Sequence, residues 1–527
     1  MNKLCLSILI LFVSACSVPQ KPEGYSLVPN SATGKLTASH HFPPRLNKVS
    51  TGLLKELPRF KEQKKGPMKI RKSEKHIFGY LEVPENRSTP SSSSIKLPVY
   101  IFKSRNPHPQ KDPIIWLTGG PGQSVMKSAK YTSYYSYLED RDLILLEQRG
   151  TEYAKPHLAC PEWAKAVAKV NDLQLQKPDL LESEVAPIYA EAAMKCKTRL
   201  EKKGIDLNAY HTREIAADVE DLRKVLALDQ YNVYSLSYGT KIAQVLMRDY
   251  PEHIRSVVLD SPLPLEVSYG EESLSNLMHS LDAVLLNCER DSLCRTAYPK
   301  LRSRFLHFLK EKNRDPIQLT ALHPQQKKEV EFYIKGSDIA LLFGGLNTWD
   351  MPKVPSMMAN LLDGDYSALE NWLENIEVGS GVGVGMRLSV WCAEETPFLN
   401  LDSVQAESQR FEEVKGVYPA VYRPEICNIW GVRPLDSKAN QAIKSDIPTL
   451  IISGEYDSET PVGWGKIMHK NLSNSYHVIF QGLHHTPTTY WDQPCGMGIT
   501  RAFFNQPTQY PNEPCLEAAN NFSFDLD

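Results

Sequence analysis

The hydrophobic pattern of this chain is a string of short apolar runs separated by longer amphipathic stretches. The runs fall at residues 96–103, 113–117, 143–147, 231–236, 256–259, 449–453 and 476–480, and they are rich in Val, Ile, Leu and Tyr. Runs of that length and composition read as strands, and those without polar alternation suit strands buried on both faces. Helical stretches alternate with them, so the pattern predicts a mostly parallel, doubly wound α/β sheet. Between residues 263 and 439 the period changes. Amphipathic helices are predicted at 273–287 and 298–312, with no comparable series of parallel strands. That stretch reads as a mainly helical cap inserted into the sheet domain, which takes residues 76–262 and 440–527. Such a cap belongs over the carboxyl ends of the strands, where open α/β sheets place their sites.

The chemistry is carried at those strand ends. The run at 231–236 breaks at Ser237 into a helical stretch reaching Arg248, and Ser235 and Gly239 stand two positions either side of that serine. This is the pattern of a nucleophile elbow, in which a strained strand-to-helix turn lifts a serine hydroxyl above the sheet and small flanking residues let strand and helix approach. Upstream, a buried strand runs into Thr118-Gly-Gly-Pro-Gly122, a turn able to offer bare backbone donors. Pro121 has no N–H, so the expected oxyanion donors are the backbone N–H groups of Gly120 and of Tyr238, the residue after the nucleophile. Downstream, Asp457 closes the strand 449–453 and its loop, and Gly482-Leu-His-His-Thr486 follows the strand 476–480. A serine hydroxyl attacks only when a neutral imidazole takes its proton and a buried carboxylate orients that imidazole. Asp457 is the candidate orienter, and one of His484 and His485 is the candidate base.

These pieces resemble the proline iminopeptidase and tripeptidyl aminopeptidase branch of the α/β-hydrolase serine peptidases. The resemblance runs from about Phe78 to Phe524. It rests on Gly79-Tyr-Leu-Glu-Val-Pro84, Thr118-Gly-Gly-Pro-Gly122, Glu147-Gln-Arg-Gly150, Ser235-Leu-Ser-Tyr-Gly239, Cys392-Ala-Glu-Glu395, Ser453-Gly-Glu-Tyr-Asp-Ser-Glu-Thr-Pro461 and Gly482-Leu-His-His-Thr486. Thr118 stands where the family commonly has His, Glu147 where it has Asp, and His484 and Thr486 where it has Gly. The resemblance implies an α/β-hydrolase fold and an acyl-enzyme mechanism carried by Ser237, Asp457 and His485. It also offers Glu394 and Glu395 as ligands for the ammonium group of a peptide substrate.

The amino terminus adds a compartment. Lys3 and the apolar run 4–13 form an export signal, too short for a permanent membrane span, ending at residue 15. Val13-Ser14-Ala15-Cys16 resembles a bacterial lipobox, which makes Cys16 the acylated first residue of the mature chain. Residues 16–75 read as a tether and N-terminal extension, and 45–75 hold eleven Lys or Arg against three Glu, a run that could also touch anionic lipid. The serine after Cys16 favours the outer membrane. With 527 residues, 42% of them hydrophobic, and a net charge of −2, the chain can bury a large core and gives no sign of nucleic-acid binding. Apart from Cys5 and Cys16, eight cysteines remain for an oxidising space. Pairing by sequence neighbourhood gives Cys160–Cys196, Cys288–Cys294, Cys392–Cys427 and Cys495–Cys515. No Cys/His set has zinc-like spacing, so neither metal nor cofactor is expected.

The expectation is a lipid-anchored serine hydrolase that removes one to three residues from peptide N-termini. A carboxylesterase using the same triad is one alternative, because fold does not choose substrate. A peptide- or envelope-binding lipoprotein with little catalysis is another.

Overall fold

The computed structural model describes residues 57–527 apart from 178–179, 181, 323–327, 376–382, 416, 418–422, 492–493, 520 and 527. The export signal, Cys16 and the tether up to residue 56 lie outside the described residues. So does most of the glycine-dense stretch ahead of Val384.

Eleven strands are described: β1 (Arg59–Gln63), β2 (His76–Pro84), β3 (Ser94–Phe102), β4 (Ile114–Leu117), β5 (Leu143–Leu146), β6 (Tyr231–Leu236), β7 (Ile254–Asp260), β8 (Ile317–Leu322), β9 (Glu329–Ile334), β10 (Thr449–Gly454) and β11 (Ser475–Phe480). Nine form one sheet in the order β1-β2-β3-β5-β4-β6-β7-β10-β11. The first three strands and the β3–β5 pair are antiparallel, and from β5 to β11 every pair is parallel. The central parallel strands are mainly apolar because both faces are covered. Ile115, Leu117, Ile144, Leu146, Val233 and Val257 face one buried core. Their alternating neighbours Ile114, Trp116, Leu143, Leu145, Tyr234 and Val258 face the other.

The chain goes from β4 outward to β5, then returns past β4 to β6 on its other side. That reversal makes a crevice at the carboxyl ends of β4 and β6, the position where open α/β sheets bind ligands. Thr118-Gly-Gly and Ser237 are the residues that leave those two strands.

Strands β1 and β2 and the β8–β9 hairpin go beyond the predicted runs. Strand β1 lies inside the stretch read as tether, so the sheet begins before residue 76. It pairs with β2 from Arg59↔Glu82 to Gln63↔Phe78. Its sequence, Arg-Phe-Lys-Glu-Gln, is charged because it is an exposed edge, where charge keeps other chains from pairing. Between β7 and β10 the described residues are helical except for the β8–β9 hairpin, whose period-two alternation in Ile317-Gln-Leu-Thr-Ala-Leu322 is the sequence signal for it. Helices Tyr269–Arg290 and Leu301–Arg314 cover the two predicted amphipathic stretches. They build an apolar core of their own with β9 and Gly336–Gly344. Helix Val384–Glu394 packs instead into the sheet's core, tied to Pro424–Trp430 by Cys392–Cys427. The other three disulfides are Cys160–Cys196, Cys288–Cys294 and Cys495–Cys515.

Candidate active site

Ser237 has φ 53°, a left-handed conformation that costs a non-glycine residue on the order of 1–3 kcal/mol. Three contacts hold it there. Its N–H donates to Asp260 O at 2.9 Å, tying the turn to β7. A side chain at Gly239 would bring Cβ to 2.3 Å from Leu117 O, so only glycine lets the helix Gly239–Asp249 start this close to β4. Ser235 replaces the usual first glycine without penalty because its buried hydroxyl donates to Val258 O at 2.6 Å.

The glycine turn after β4 crosses directly over the serine. A Cβ on Gly119 would stand 2.8 Å from Ser237 Cβ and 3.2 Å from its Oγ, and Gly120 has φ 119°. Gly120 and Tyr238 line the same cleft as Ser237, and Tyr238 caps a helix whose first N–H groups have no helical acceptor. The turn is braced from below by the Glu147-Gln-Arg motif. Gln148 Nε2 donates to Thr118 O at 2.7 Å, and Glu147 accepts from Ser124 Oγ at 2.9 Å and Val125 N at 3.1 Å. Burial pushes Glu147 up to about 7, against those hydrogen bonds. Arg149 is wholly buried and donates to both oxygens of Asp218, at 2.8 and 2.6 Å.

Asp457 and His485 leave β10 and β11. His485 Nδ1 lies 2.8 Å from Asp457 Oδ2, and Thr460 Oγ1 donates to that same oxygen at 2.8 Å. Asp457 Oδ1 accepts from the N–H groups of Glu459 and Thr460, each at 2.9 Å. Burial opposes charge on Asp457, but the His485 imidazole and these donors hold its carboxyl well below the usual range. Burial likewise opposes the imidazolium of His485; Asp457 and Glu459 outweigh it and lift His485 to about 9. His485 Nε2 is buried with no hydrogen-bond partner among the described residues, and His485 lines the cleft with Ser237. His484 faces the other way. Its Nε2 meets Ser458 Oγ at 3.2 Å, and burial pushes it down to about 4. The geometry therefore brings His485 to Ser237's cleft and leaves His484 out of it.

The cleft lies against helix Val384–Glu394, whose Arg387, Val390 and Trp391 line it. The structure separates Glu394 from Glu395, the two acids expected to meet a substrate ammonium. Glu394 accepts from Thr212 N and Thr212 Oγ1, both at 2.5 Å, and does not line the cleft. Glu395 does line it, but its carboxylate is closed by a salt bridge from buried Lys241. Lys241 stands four residues after Ser237 on a different element, so no spacing along the chain announces the pair. Burial lowers Lys241 to about 8 against the pull of Glu394 and Glu266. Besides Lys241, two charged residues of the cleft, Glu459 and Arg387, carry no signal of their own in the sequence pattern. Glu459 Oε2 lies 3.7 Å from His485 Nε2, and Arg387 stacks over Trp391 at 5.5 Å. The signal for Glu459 is only that it follows Asp457 by two positions. Among the described residues no group of three His, Cys, Asp or Glu side chains is gathered to hold a metal.

The sheet order, the strained serine and the strand-end acid and base agree with two family matches. Residues 112–296 match the alpha/beta hydrolase fold, and residues 418–515 match the TAP-like protein family. The chain has the α/β-hydrolase fold. Among curated relatives, this α/β-hydrolase is 22% identical over 431 residues to serine protease Hip1 of Mycobacterium tuberculosis, spanning 78% of this chain and 81% of that one. It is 26% identical over 193 residues to tripeptidyl aminopeptidase of Streptomyces coelicolor, covering 35% and 34% of the two chains. A matched solved structure is the proline iminopeptidase of Mycobacterium smegmatis, at 14% identity and TM-score 0.34, covering 81% of this chain and 98% of that one. The relatives support a serine hydrolase of the peptidase kind.

Proposed function

We propose that this α/β-hydrolase is an aminopeptidase acting through an acyl-enzyme. His485 takes the proton of Ser237 Oγ, which attacks the scissile carbonyl. Asp457 holds the imidazole by Nδ1, and the N–H groups of Gly120 and Tyr238 receive the oxyanion. His485 then protonates the leaving amine, and water releases the acyl group by the same steps. The observation that supports this reading is the strained Ser237 sharing one cleft with a His485 whose Nδ1 is committed to Asp457 and whose Nε2 is open. The peptidase relatives favour amide over ester substrates. The test is twofold. A fluorophosphonate probe should label Ser237, and peptides with a free amino terminus should be cleaved in preference to the same peptides acetylated. Equal cleavage of both would remove the aminopeptidase reading and leave a serine hydrolase.

Export and a lipid anchor on Cys16 complete the proposal. The lipobox supports them, and four disulfides suit an oxidising space. No helix among the described residues is long and apolar enough to cross a membrane. Intact mass of the mature protein decides the point, since an unacylated chain starting elsewhere than Cys16 would end it.

A further inference from the structure

An aminopeptidase must place its substrate's ammonium group at a fixed distance from the nucleophile, and burying that charge is costly unless a carboxylate meets it. The cleft has two carboxylates on its lining, Glu395 and Glu459. Glu395 is already neutralised by Lys241. Glu459 is different. Its Oε1 is buried with no hydrogen-bond partner among the described residues, while its Oε2 stands 3.7 Å from His485 Nε2. The residue is also fixed in place, since its N–H donates to Asp457 Oδ1 at 2.9 Å. Besides His485, the charged groups that act on it are Asp457, two residues before it, and Arg387, from helix Val384–Glu394 above the cleft. Burial, with Asp457 beside it, pushes the Glu459 carboxyl up, so a cation placed against it is favoured.

The distance fixes more than a charge. To protonate the leaving group, His485 Nε2 must come within about 2.6–3.2 Å of the scissile nitrogen. In a peptide the amine of the residue under attack is about 2.5 Å from its own carbonyl carbon, and each further residue moves the terminus away by about 3.3–3.6 Å. A carboxylate beside Nε2 can therefore reach the ammonium of a single terminal residue. It falls about 7 Å short of the terminus of a chain with two residues more. We propose that Glu459 receives the substrate's α-ammonium group and so sets release to one N-terminal residue at a time. This rests on the aminopeptidase reading above. In the free protein Glu459 faces the His485 imidazole; a bound ammonium takes over that contact and leaves Nε2 to Ser237.

The experiment compares kcat/KM for three aminocoumarin amides, alanyl, N-acetyl-alanyl and alanyl-alanyl-alanyl, on the wild-type protein, Glu459→Gln and Glu459→Asp. The wild type should prefer alanyl over both others. Glu459→Gln should shrink the alanyl to N-acetyl-alanyl ratio by about 10- to 100-fold, the worth of a hydrogen bond to a charged group, with Glu459→Asp in between. A ratio unchanged in Glu459→Gln overturns the role of Glu459. A wild type that prefers the tripeptidyl amide overturns the one-residue register while the aminopeptidase reading stands, and this arm needs no variant to fold. Equal cleavage of alanyl and N-acetyl-alanyl amides by the wild type overturns both readings together.

Discussion

The two walls of the cleft bury similar groups and use them differently. On the sheet side, the loops after β10 and β11 present groups with an open valence: Nε2 of His485 and Oε1 of Glu459 have no hydrogen-bond partner among the described residues. On the helix side, the acids are closed. Glu394 is held by Thr212 and Glu395 by Lys241, and Arg387 lines the cleft beside that ion pair. Burial alone therefore does not mark a functional acid. Glu459 is set apart by combining an unpaired buried oxygen with a place on the cleft that holds Ser237 and His485.

The contrast breaks first at the sheet wall. Ser237→Ala and His485→Ala should each lower kcat by about 10⁴- to 10⁶-fold with the fold retained, as loss of a triad member does, whereas His484→Ala should cost far less. Turnover measured beside far-UV circular dichroism settles this, and an inactive His484→Ala with an active His485→Ala would reverse the assignment.

The helix wall should fail in stability instead. Lys241→Met leaves Glu395 buried without its cation and should lower unfolding free energy by about 3–5 kcal/mol, read by urea titration, while Lys241→Met with Glu395→Leu recovers most of it. A stable Lys241→Met protein that has lost substrate discrimination would move Glu395 into the binding group.

The smallest expected effect is on pH dependence. The base must be neutral, so kcat/KM rises with pH through the value of His485, about 9 in the free protein. Glu459 is one of the carboxylates that raise it; Glu459→Gln should move the rising limb to lower pH by about one unit. An acyl ester without an ammonium group is the substrate for this profile. By linkage, the same lift stabilises the fold below the ordinary imidazole value of 6.5 and is lost as pH climbs through about 9. An unmoved limb would mean that His485 does not feel Glu459.

Much of this was legible in the chain because strand ends leave a double signature, an apolar run and then an abrupt small or polar residue. Ser237, Asp457 and His485 each follow such a run in the order Ser, Asp, His, and the β6 and β10 boundaries agree with the pattern almost residue for residue. What the pattern hides is pairing across elements. Glu394 and Glu395 look like a ligand pair because they are adjacent acids after Cys392, and their partners Thr212 and Lys241 come from far away in sequence. Glu459 looks like an ordinary loop residue because its distinction is an atom left unpaired, which only three-dimensional packing can produce. Strand β1 is hidden for a third reason, since an exposed edge has no apolar run to show.

The pairing of β7 with β10 carries a last consequence. Val257 stands opposite Thr449 and Asp260 opposite Ile452, so these strands are immediate neighbours although nearly the whole helical insertion separates them along the chain. To the sheet, that insertion is one long crossover, and its length nowhere enters the register. The insertion can therefore change in length without altering the strand register that positions Ser237, Asp457 and His485, as long as helix Val384–Glu394 keeps its seat in the sheet's core.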